Sequence, residues 1–533
     1  MYHLRRVGIA VVLIVLTWLG LTALHKHLDP NTHKSDEEYE DARWIATSQY
    51  WLDRQACRWM GLCGLAHWHP DPAVRPWSKK FADHEMQKLL GGNKAEQVEA
   101  EYVDWDHIPG DGERLRPGDW DGDPRVLKDV PQYVLDHAPL IHLYSGEQFW
   151  PSDIRDHLRH TVASVNHTSL NISHLDLDNL HTVNNGHRGR HLFMNSKEDV
   201  EQRPDWLGSA YNKPIPYDDT EPEDEPDEGE LEYVEEESGE EPTQEELETW
   251  FDPYGVGNKQ KVAQPLFNNH RSPRLDLRKR LLPEMPKPGG YSPAPAVLVL
   301  VDKGNGILDA FWFYFYSYNL GTTVLGIRFG NHVGDWEHSL IRFQNGVPKA
   351  VFFSAHSGGL AYAYKAVEKG KGRGREGRPV LYSALGSHAM YAQPGKHPYV
   401  LPFGLLADVC DKGPLWDPAQ NYLGYYFNTS ITHNADAKSL TNLPMAMMKD
   451  SLQPVANNPK APMGWWWFKG HWGDKFYELG DMRQWRFVGQ YHYVNGPLGP
   501  KDKNLGRSRV CQSRGECRIV NSLKEGKKRS WVG

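Results

Sequence analysis

The segment 330–338 reads Gly-Asn-His-Val-Gly-Asp-Trp-Glu-His and concentrates acidic and histidine side chains. Side chains alternate between the two faces of an extended strand, so Asp335 and Glu337 are expected to share one face. Gly334 permits a bend that would bring His332 toward the two carboxylates. Two carboxylates and one imidazole with open coordination positions suit Mg²⁺, Mn²⁺ or Ca²⁺ better than a structural Zn²⁺. We therefore predict a solvent-open divalent-cation site at these three residues.

The same spacing also fits a purely structural pair of carboxylates. In that interpretation the pair is buried and is satisfied by backbone donors and by Arg342, which lies on the strand that follows. Three ligands over so short a segment are only moderately specific, so spacing alone leaves both interpretations open.

Two further histidines lie in loops of small residues that follow predicted strands, at Ser354–Gly359 and Gly386–Met390. Each of them, His356 and His388, is by itself typical of a hydrogen-bonded structural histidine. Together with His332 they predict a polar cluster at strand ends, where β-sandwich proteins carry function. In a metal-dependent hydrolase, His356 and His388 would be the candidates for proton transfer.

The elements that must position these residues are predicted strands. Asn345-Gly346 between two alternating runs is a strong hairpin signal. The fold is therefore predicted to be mainly β, a β-sandwich with helical and disordered insertions, preceded by one N-terminal transmembrane helix. The predicted strands are Ala294–Val301, Ile307–Tyr318, Ser339–Phe343, Lys349–Ser354, Pro379–Leu385 and Trp485–Tyr493.

The composition predicts a core built largely from aromatic side chains. The 533 residues are 39% hydrophobic and include 20 Trp, 25 Tyr and 17 Phe, which favours aromatic-rich strands over a helical bundle. The tract Met463–Asp474 contains consecutive tryptophans, and we expect core packing there rather than a carbohydrate platform. The sequence contains no phosphate-binding loop, dinucleotide fingerprint or nucleophile elbow, which disfavours the corresponding enzyme classes.

The net charge of −9 hides a strong asymmetry, because Asp218–Glu248 contains 18 acidic residues and neither Lys nor Arg. A run with this density of like charges cannot bury enough apolar surface to offset the entropy lost on folding. We therefore predict a disordered insertion.

The amino terminus predicts the compartment. Val7–Leu24 is an uncharged apolar run about as long as the shortest helix that crosses a bilayer, and the small residues that signal cleavage requires are poorly placed. Arg5 and Arg6 precede it, which places the short amino terminus in the cytosol and the bulk of the chain in the lumen. We predict a single-pass membrane protein of the secretory or vacuolar pathway.

Sequons and cysteines agree with a luminal location. Candidate glycosylation sites are Asn166, Asn171 and Asn428. Two cysteine pairs are close enough to close short loops in an oxidising compartment. These pairs are Cys57 with Cys63 and Cys511 with Cys517.

The predicted organisation follows from these features. It comprises a cytosolic stub (1–6), a signal anchor (7–24), a partly helical luminal region (25–129), the first part of the main domain (130–215), an acidic disordered insertion (216–250), a linker (251–290), the main β domain (291–500) and a basic tail (501–533).

Five short segments together resemble the fungal vacuolar protein sorting-associated protein 62 family. They are Tyr133–Pro139, Phe149–Asp153, Gly330–His338, Tyr382–Ala389 and Trp472–Asp474. The resemblance implies a link to protein delivery to the vacuole and does not supply a molecular activity.

The His-x-x-Asp-Trp-Glu core also resembles the signature of necrosis- and ethylene-inducing-like cytolysins, which are β-sandwich proteins that bind a divalent ion and sphingolipid headgroups. By position, His332, Asp335 and Glu337 match that signature, and the further acidic ligand of those proteins falls near Asn319. Asn is a weaker metal ligand than a carboxylate.

Three functions follow as hypotheses. The first is a non-enzymatic luminal protein of vacuolar trafficking that binds a glycan or lipid headgroup through a divalent ion. The second is a metal-dependent hydrolase of the secretory or vacuolar lumen, and the third is a structural scaffold without a metal. The membrane is an expected partner through the N-terminal helix, no nucleic-acid partner is predicted, and protein partners stay open.

Overall fold

The computed structural model of the chain describes residue 17 and residues 36–69, 127–172, 174–217, 288–324, 326–356, 358–398, 406–430, 450–512 and 517–529. Apart from Thr17, the predicted span Val7–Leu24 lies outside the described residues, as do nearly all of the acidic insertion and of the linker. Among the helices that are described, none is both long enough and apolar enough to cross a bilayer.

The α-helices with both ends in the described residues are short. They are α1 (Asp36–Thr47), α2 (Trp51–Met60), α3 (Gln132–Asp136), α4 (Ile154–Arg159), α5 (Asp205–Gly208) and α6 (Leu523–Arg529), and 3₁₀ turns occur at Leu180–Asn184, Gly189–His191, Val200–Gln202, Ala210–Asn212, Tyr364–Ala366, Pro418–Gln420, Gly464–Trp467 and Pro500–Lys503.

Strands dominate the described residues. They are β1 (Leu62–Cys63), β2 (Leu140–His142), β3 (Thr161–Val165), β4 (Thr168–Ser169), β5 (Leu192–Ser196), β6 (Ala296–Gly304), β7 (Ile307–Asn319), β8 (Thr322–Val324), β9 (Ile327–Phe329), β10 (His332–Gln344), β11 (Val347–Ala355), β12 (Gly358–Ala363), β13 (Val380–Ser383), β14 (Met390–Tyr391), β15 (Gly395–Pro398), β16 (Ala407–Cys410), β17 (Leu415–Trp416), β18 (Tyr422–Phe427), β19 (Leu452–Pro454), β20 (Arg486–Phe487), β21 (Gln490–Tyr491) and β22 (Ile519–Val520).

The chain divides into two compact units, and the smaller one combines 1–75, 323–331 and 476–494. Its described part contains α1, α2 and the three-stranded sheet β1-β20-β21. The buried Asp53 carboxylate organises the helical part, because it accepts hydrogen bonds from Trp44 Nε1 and from the backbone N–H groups of Gly64 and Ala66, each at 3.1 Å. The disulfide between Cys57 and Cys63 joins the end of α2 to β1.

The larger unit is built on an eight-stranded sheet in the order β19-β18-β6-β7-β10-β11-β12-β22. Every residue of β7, in the centre, is buried, which is why its sequence is continuously apolar and aromatic rather than alternating. The turn between β10 and β11 has positive φ at both Asn345 (50°) and Gly346 (82°), as a type I′ hairpin requires.

Both faces of this sheet are covered. On one face, Phe313, Phe315 and Trp336 pack with the tryptophans of the tract 463–474. On the other face, Trp312 and Tyr314 pack with residues of the four-stranded sheet β14-β13-β2-β17. A second sheet therefore covers one face of the large sheet, and a further layer lies on the opposite face because that face is equally apolar.

The prediction of a mainly β fold is confirmed. The predicted strand Trp485–Tyr493 is wrong, because Val488 (φ 52°) and Gly489 (φ 81°) reverse the chain and divide it into β20 and β21. Within 501–533, β22 adds a parallel strand to β12.

Candidate functional site

Strand β10 presents Asp335 and Glu337 on the face that looks toward the four-stranded sheet. Their cross-strand neighbours are Tyr316 and Tyr314 of β7, whereas Trp336 packs on the opposite face, stacked on Trp465 with centroids 5.8 Å apart. The expectation that both carboxylates open to solvent is wrong, since Asp335 is 6% exposed and Glu337 is 4% exposed. The sheet that covers this face encloses them.

His388 holds Asp335 by a charged hydrogen bond. Its Nδ1 lies 3.0 Å from Asp335 Oδ2 and its Nε2 lies 3.1 Å from the carbonyl oxygen of Phe149. Both partners only accept hydrogen bonds, so both ring nitrogens carry protons and His388 is an imidazolium. Burial alone would lower the pKa of His388, but the bond to Asp335 and the charge of Glu147 outweigh it and raise the pKa. The ring stacks on Tyr316 at 3.7 Å.

Glu147 is a member of this cluster that the sequence did not indicate. Its Oε1 accepts from the backbone N–H groups of Gln148 (2.8 Å) and Phe149 (2.9 Å), and its Oε2 accepts from that of Gly386 (2.9 Å). Oε2 also lies 4.0 Å from His388 Nε2. Glu147 is separated from His388 by 241 positions, and its only sequence signal is its place beside Phe149–Asp153.

Of the carboxylates in this cluster, Glu337 has the fewest hydrogen-bond donors. Among the described residues its one hydrogen-bond partner is the Ser354 hydroxyl, which donates to Oε2 and accepts from the His338 backbone N–H at 2.8 Å. Burial, and then the charge of Asp335, raise the pKa of Glu337 from 4.5 to about 7. No Lys or Arg in the described part of the chain lies within ion-pair distance of it.

A second histidine–carboxylate pair lies on neighbouring loops. His356 Nε2 lies 2.8 Å from Asp408 Oδ2, and Asp408 also accepts from the hydroxyls of Ser387 (2.8 Å) and Tyr391 (2.7 Å). Burial would raise the pKa of Asp408, but the hydrogen bond to His356 outweighs it and lowers the pKa. His356 and His388 both have positive φ, 54° and 53°, an uncommon conformation that clusters at functional sites.

His332 lies at the start of β10, where it pairs with Asn319 of β7. Its Nδ1–H donates to the carbonyl oxygen of Gly334 at 2.6 Å. Burial lowers the pKa of His332 against the opposing charge of Asp335. The ligand atoms of His332, Asp335 and Glu337 do not all lie within 4.8 Å of one another, and the one such set among the described residues is Asp41 with the disulfide-bonded Cys57 and Cys63.

Arg342 does not neutralise the two carboxylates. Its Nε and one terminal nitrogen each lie 2.7 Å from the oxygens of Asp309. Arg342 is an odd number of residues from both Asp335 and Glu337 along β10, so its side chain points to the opposite face of the sheet. The structural interpretation therefore lacks the basic partner that it named.

The remaining predicted residues have the following positions. Trp465, Trp466, Trp467 and Trp472 are each at most 3% exposed, so the tryptophan tract is core. Cys511 is bonded to Cys517. Asn171 and Asn428 are exposed and Asn166 is half-buried.

The smaller unit contains a separate cavity of about 320 Å³. It is lined by Arg43, Trp44, Thr47, Ser48, Gln49, Tyr50, His67, Glu478, Leu479 and Gly480. Its His67 is buried, and Nδ1 of that ring has no hydrogen-bond partner among the described residues.

Comparison with known proteins identifies the family. The profile of the vacuolar protein sorting-associated protein 62 family matches residues 313–409, a range that contains Asp335, Glu337, His356, His388 and Asp408. "Vacuolar protein sorting-associated protein 62" of Saccharomyces cerevisiae is 34% identical over 425 residues, which cover 75% of this chain and 72% of that protein. The chain belongs to this family.

Two further matches were found. The Saccharomyces cerevisiae protein named "Putative vacuolar protein sorting-associated protein TDA6" is 35% identical over 402 residues, 72% of this chain and 68% of that protein. A solved structure titled "Toxin fold for microbial attack and plant defense" is 16% identical over 25% of this chain and 56% of that chain, with a TM-score of 0.15. A TM-score this low supports no conclusion.

Proposed function

We propose that this family member is a luminal protein, anchored by Val7–Leu24, that takes part in delivery of proteins to the vacuole. We further propose that Asp335 and Glu337 bind a divalent cation, Mg²⁺, Mn²⁺ or Ca²⁺, through which the larger unit holds a glycan or a lipid headgroup. The names of the two yeast relatives support the vacuolar part. The apolar run, its basic flank and the sequons support the membrane topology.

One observation carries the metal proposal: Glu337 is buried beside Asp335, and the positive charges that act on it, those of Lys503 and His356, form no ion pair with it among the described residues. Asp335 is balanced by the His388 imidazolium and Glu147 by three backbone N–H groups. Glu337 accepts a hydrogen bond from one hydroxyl group, that of Ser354. A buried carboxylate without a counter-charge is costly unless it is protonated or coordinates a cation.

The donor set suits a hard cation. Carboxylate oxygens and the Ser354 hydroxyl are the ligand types that Ca²⁺ and Mg²⁺ take, and such sites keep positions for water or for ligand hydroxyls. When bound, the cation would supply positive charge that attracts hydroxyl or phosphate oxygens.

Metal analysis of the purified full-length chain, followed by calorimetric titration with Ca²⁺, Mg²⁺ and Mn²⁺, tests the proposal. Asp335→Asn and Glu337→Gln should each weaken binding by more than the roughly 10–100-fold that loss of an outer-shell partner costs. Asp302→Asn removes an exposed carboxylate of β6 and should leave binding unchanged. Equal metal content in wild type and Asp335→Asn would exclude the cation and leave the scaffold hypothesis.

A metal-dependent hydrolase is the second candidate, and the pairing of the exposed His356 with Asp408 favours it, since a carboxylate commonly orients a catalytic histidine. His388 is a poor proton carrier because both of its nitrogens are engaged. Mass spectrometry of any glycan or lipid retained by the metal-loaded chain separates the candidates: products that form with wild type and not with His356→Gln identify a hydrolase, and an intact ligand identifies a binder.

A further inference from the structure

Exposed apolar side chains are concentrated in the smaller unit. Of the sixteen large hydrophobic residues that are exposed in the described part of the chain, ten lie in this unit, although it is much the smaller of the two. They are Tyr39, Tyr50, Trp51, Leu52, Trp59, Met60, Leu65, Trp68, Met482 and Val488. Concentrated exposure of this kind marks an interaction surface rather than ordinary surface composition.

The centre of this surface is the outer face of α2. At 3.6 residues per turn, Trp51, Leu52 and Trp59 lie within an arc of about 100°, and they are 61%, 74% and 64% exposed. The buried residues Asp53 and Cys57 lie on the opposite side of the helix. The helix is therefore amphipathic in the reverse sense: its polar Asp53 is turned inward and its tryptophans outward.

The hairpin tip between β20 and β21 extends the surface. Val488 is 61% exposed, and its backbone N–H donates to the carbonyl oxygen of Gly61 at 2.8 Å, next to the last residue of α2. Its φ of 52° is unfavourable for a β-branched side chain, and turns of this kind favour Asn at that position. An exposed valine kept in a conformation that disfavours it indicates a requirement for an apolar tip.

We propose that this surface, formed by Trp51, Leu52, Trp59, Met60 and Val488, rests in the interfacial layer of the lipid bilayer. Tryptophan is enriched at that depth because its ring is apolar and its N–H is polar. Trp59 Nε1 donates to Gln55 at 3.2 Å, so the ring lies along the exposed face and its polar edge is directed to a polar group. The exposed Arg58 can extend its charged end to headgroups while its stem stays apolar.

The position of the surface in the chain favours the bilayer over another protein. The proposal rests on the proposed anchor: only residues 25–35 separate Val7–Leu24 from the start of α1. Even fully extended, that segment spans at most about 40 Å, and α1 adds about 18 Å. Such a tether keeps the surface at a high effective concentration near the membrane.

The test uses the full-length chain reconstituted in phosphatidylcholine vesicles, with a nitrobenzoxadiazole dye on Leu52→Cys or, as the control, on the exposed Val347→Cys of the larger unit. The free Cys410 is buried, and the four other cysteines form disulfides. We expect spin-labelled lipid to quench the dye at position 52 at least twofold more than at position 347. Aqueous iodide should show the reverse order.

A second substitution guards against loss of folding. Val488→Asn relieves the unfavourable turn conformation, so the unfolding midpoint should be equal or higher, yet quenching at position 52 by lipid should fall. The matched control Val347→Asn should change neither quantity. If Val488→Asn leaves the quenching at position 52 unchanged, the hairpin tip does not contribute to membrane contact, and the proposal as stated is overturned.

Two other outcomes overturn it. Absence of lipid quenching at position 52 would show that the surface does not touch lipid. A blue-shifted dye at position 52 that lipid cannot quench would show that a protein segment or a second copy covers it. Carbonate extraction distinguishes failure of the proposed anchor from failure of the proposed membrane contact. If carbonate releases the chain from the vesicles, both proposals are refuted. If the chain is retained but lipid does not quench the dye at position 52, only the membrane contact is refuted.

Discussion

Replacing Glu337 with glutamine is expected to stabilise the chain at neutral pH and not at pH 4. Because the pKa of Glu337 is raised from 4.5 to about 7, the folded chain keeps a proton there that the unfolded chain releases between these values. The stability of the wild type therefore falls as pH rises through this window. The loss is about 1.4 kcal/mol per pH unit, or about 3 kcal/mol above pH 7. Glutamine does not ionise and can still accept the Ser354 hydrogen bond.

Urea unfolding followed by tryptophan fluorescence at pH 4, 6 and 8 measures this difference, with EDTA present to keep divalent cations from compensating the charge. The variant and the wild type should have equal unfolding free energies at pH 4, and the variant should exceed the wild type progressively toward pH 8. Excess Ca²⁺ at pH 8 should narrow the gap by stabilising the ionised wild type. Glu376→Gln, on an exposed loop, controls for the loss of one negative charge.

The result that would refute the reasoning is a difference that does not change with pH, or a variant that is less stable than the wild type at pH 8. Either result would mean that the folded chain accommodates the Glu337 carboxylate as an anion. The electrostatic argument for a bound cation would then lose its basis.

Two further predictions concern the sheet that carries the site. Asp309→Ala should lower the free energy of unfolding by about 3–5 kcal/mol, because it leaves the guanidinium of Arg342, 1% exposed, without its bidentate partner. Val347→Ala, at the exposed start of β11, should change this free energy little in the same urea titration. Gly334→Ala should destabilise the chain by at least about 1–3 kcal/mol, because φ is +70° and an added Cβ would lie 2.2 Å from the carbonyl oxygen of Trp472. The control Gly480→Ala should not lower the thermal unfolding midpoint, because no atom lies within 4 Å of the Cβ added there.

Local patterns in the sequence predicted the elements that lie near one another along the chain. Asn345-Gly346 marked the β10–β11 hairpin because few residue pairs tolerate two positive φ angles. Strand alternation placed Asp335 and Glu337 on one face and Trp336 on the other. The tryptophan tract was correctly assigned to the core, since so many rings cannot all stay in water.

Contacts across long sequence separations were beyond local reasoning. The structural interpretation named Arg342, on the strand that follows, as the partner of the carboxylates, yet Arg342 pairs with Asp309 on the adjacent β7. Trp485–Tyr493 was predicted as one strand because its residue types fit one. Val488 adopts a positive φ there, which no preference of valine predicts.

The sequence by itself determined the mainly β fold, the hairpin that carries the site, the shared face of Asp335 and Glu337 and the membership of the vacuolar protein sorting-associated protein 62 family. Only the tertiary structure decided that these carboxylates are enclosed and that a protonated His388, from a distant loop, hydrogen-bonds to Asp335. The same holds for the position of the Glu147 carboxylate near the other ring nitrogen of His388. The reason is physical: alternation follows from the backbone of one strand, whereas burial and protonation depend on which distant surfaces meet, and packing of the whole chain selects those.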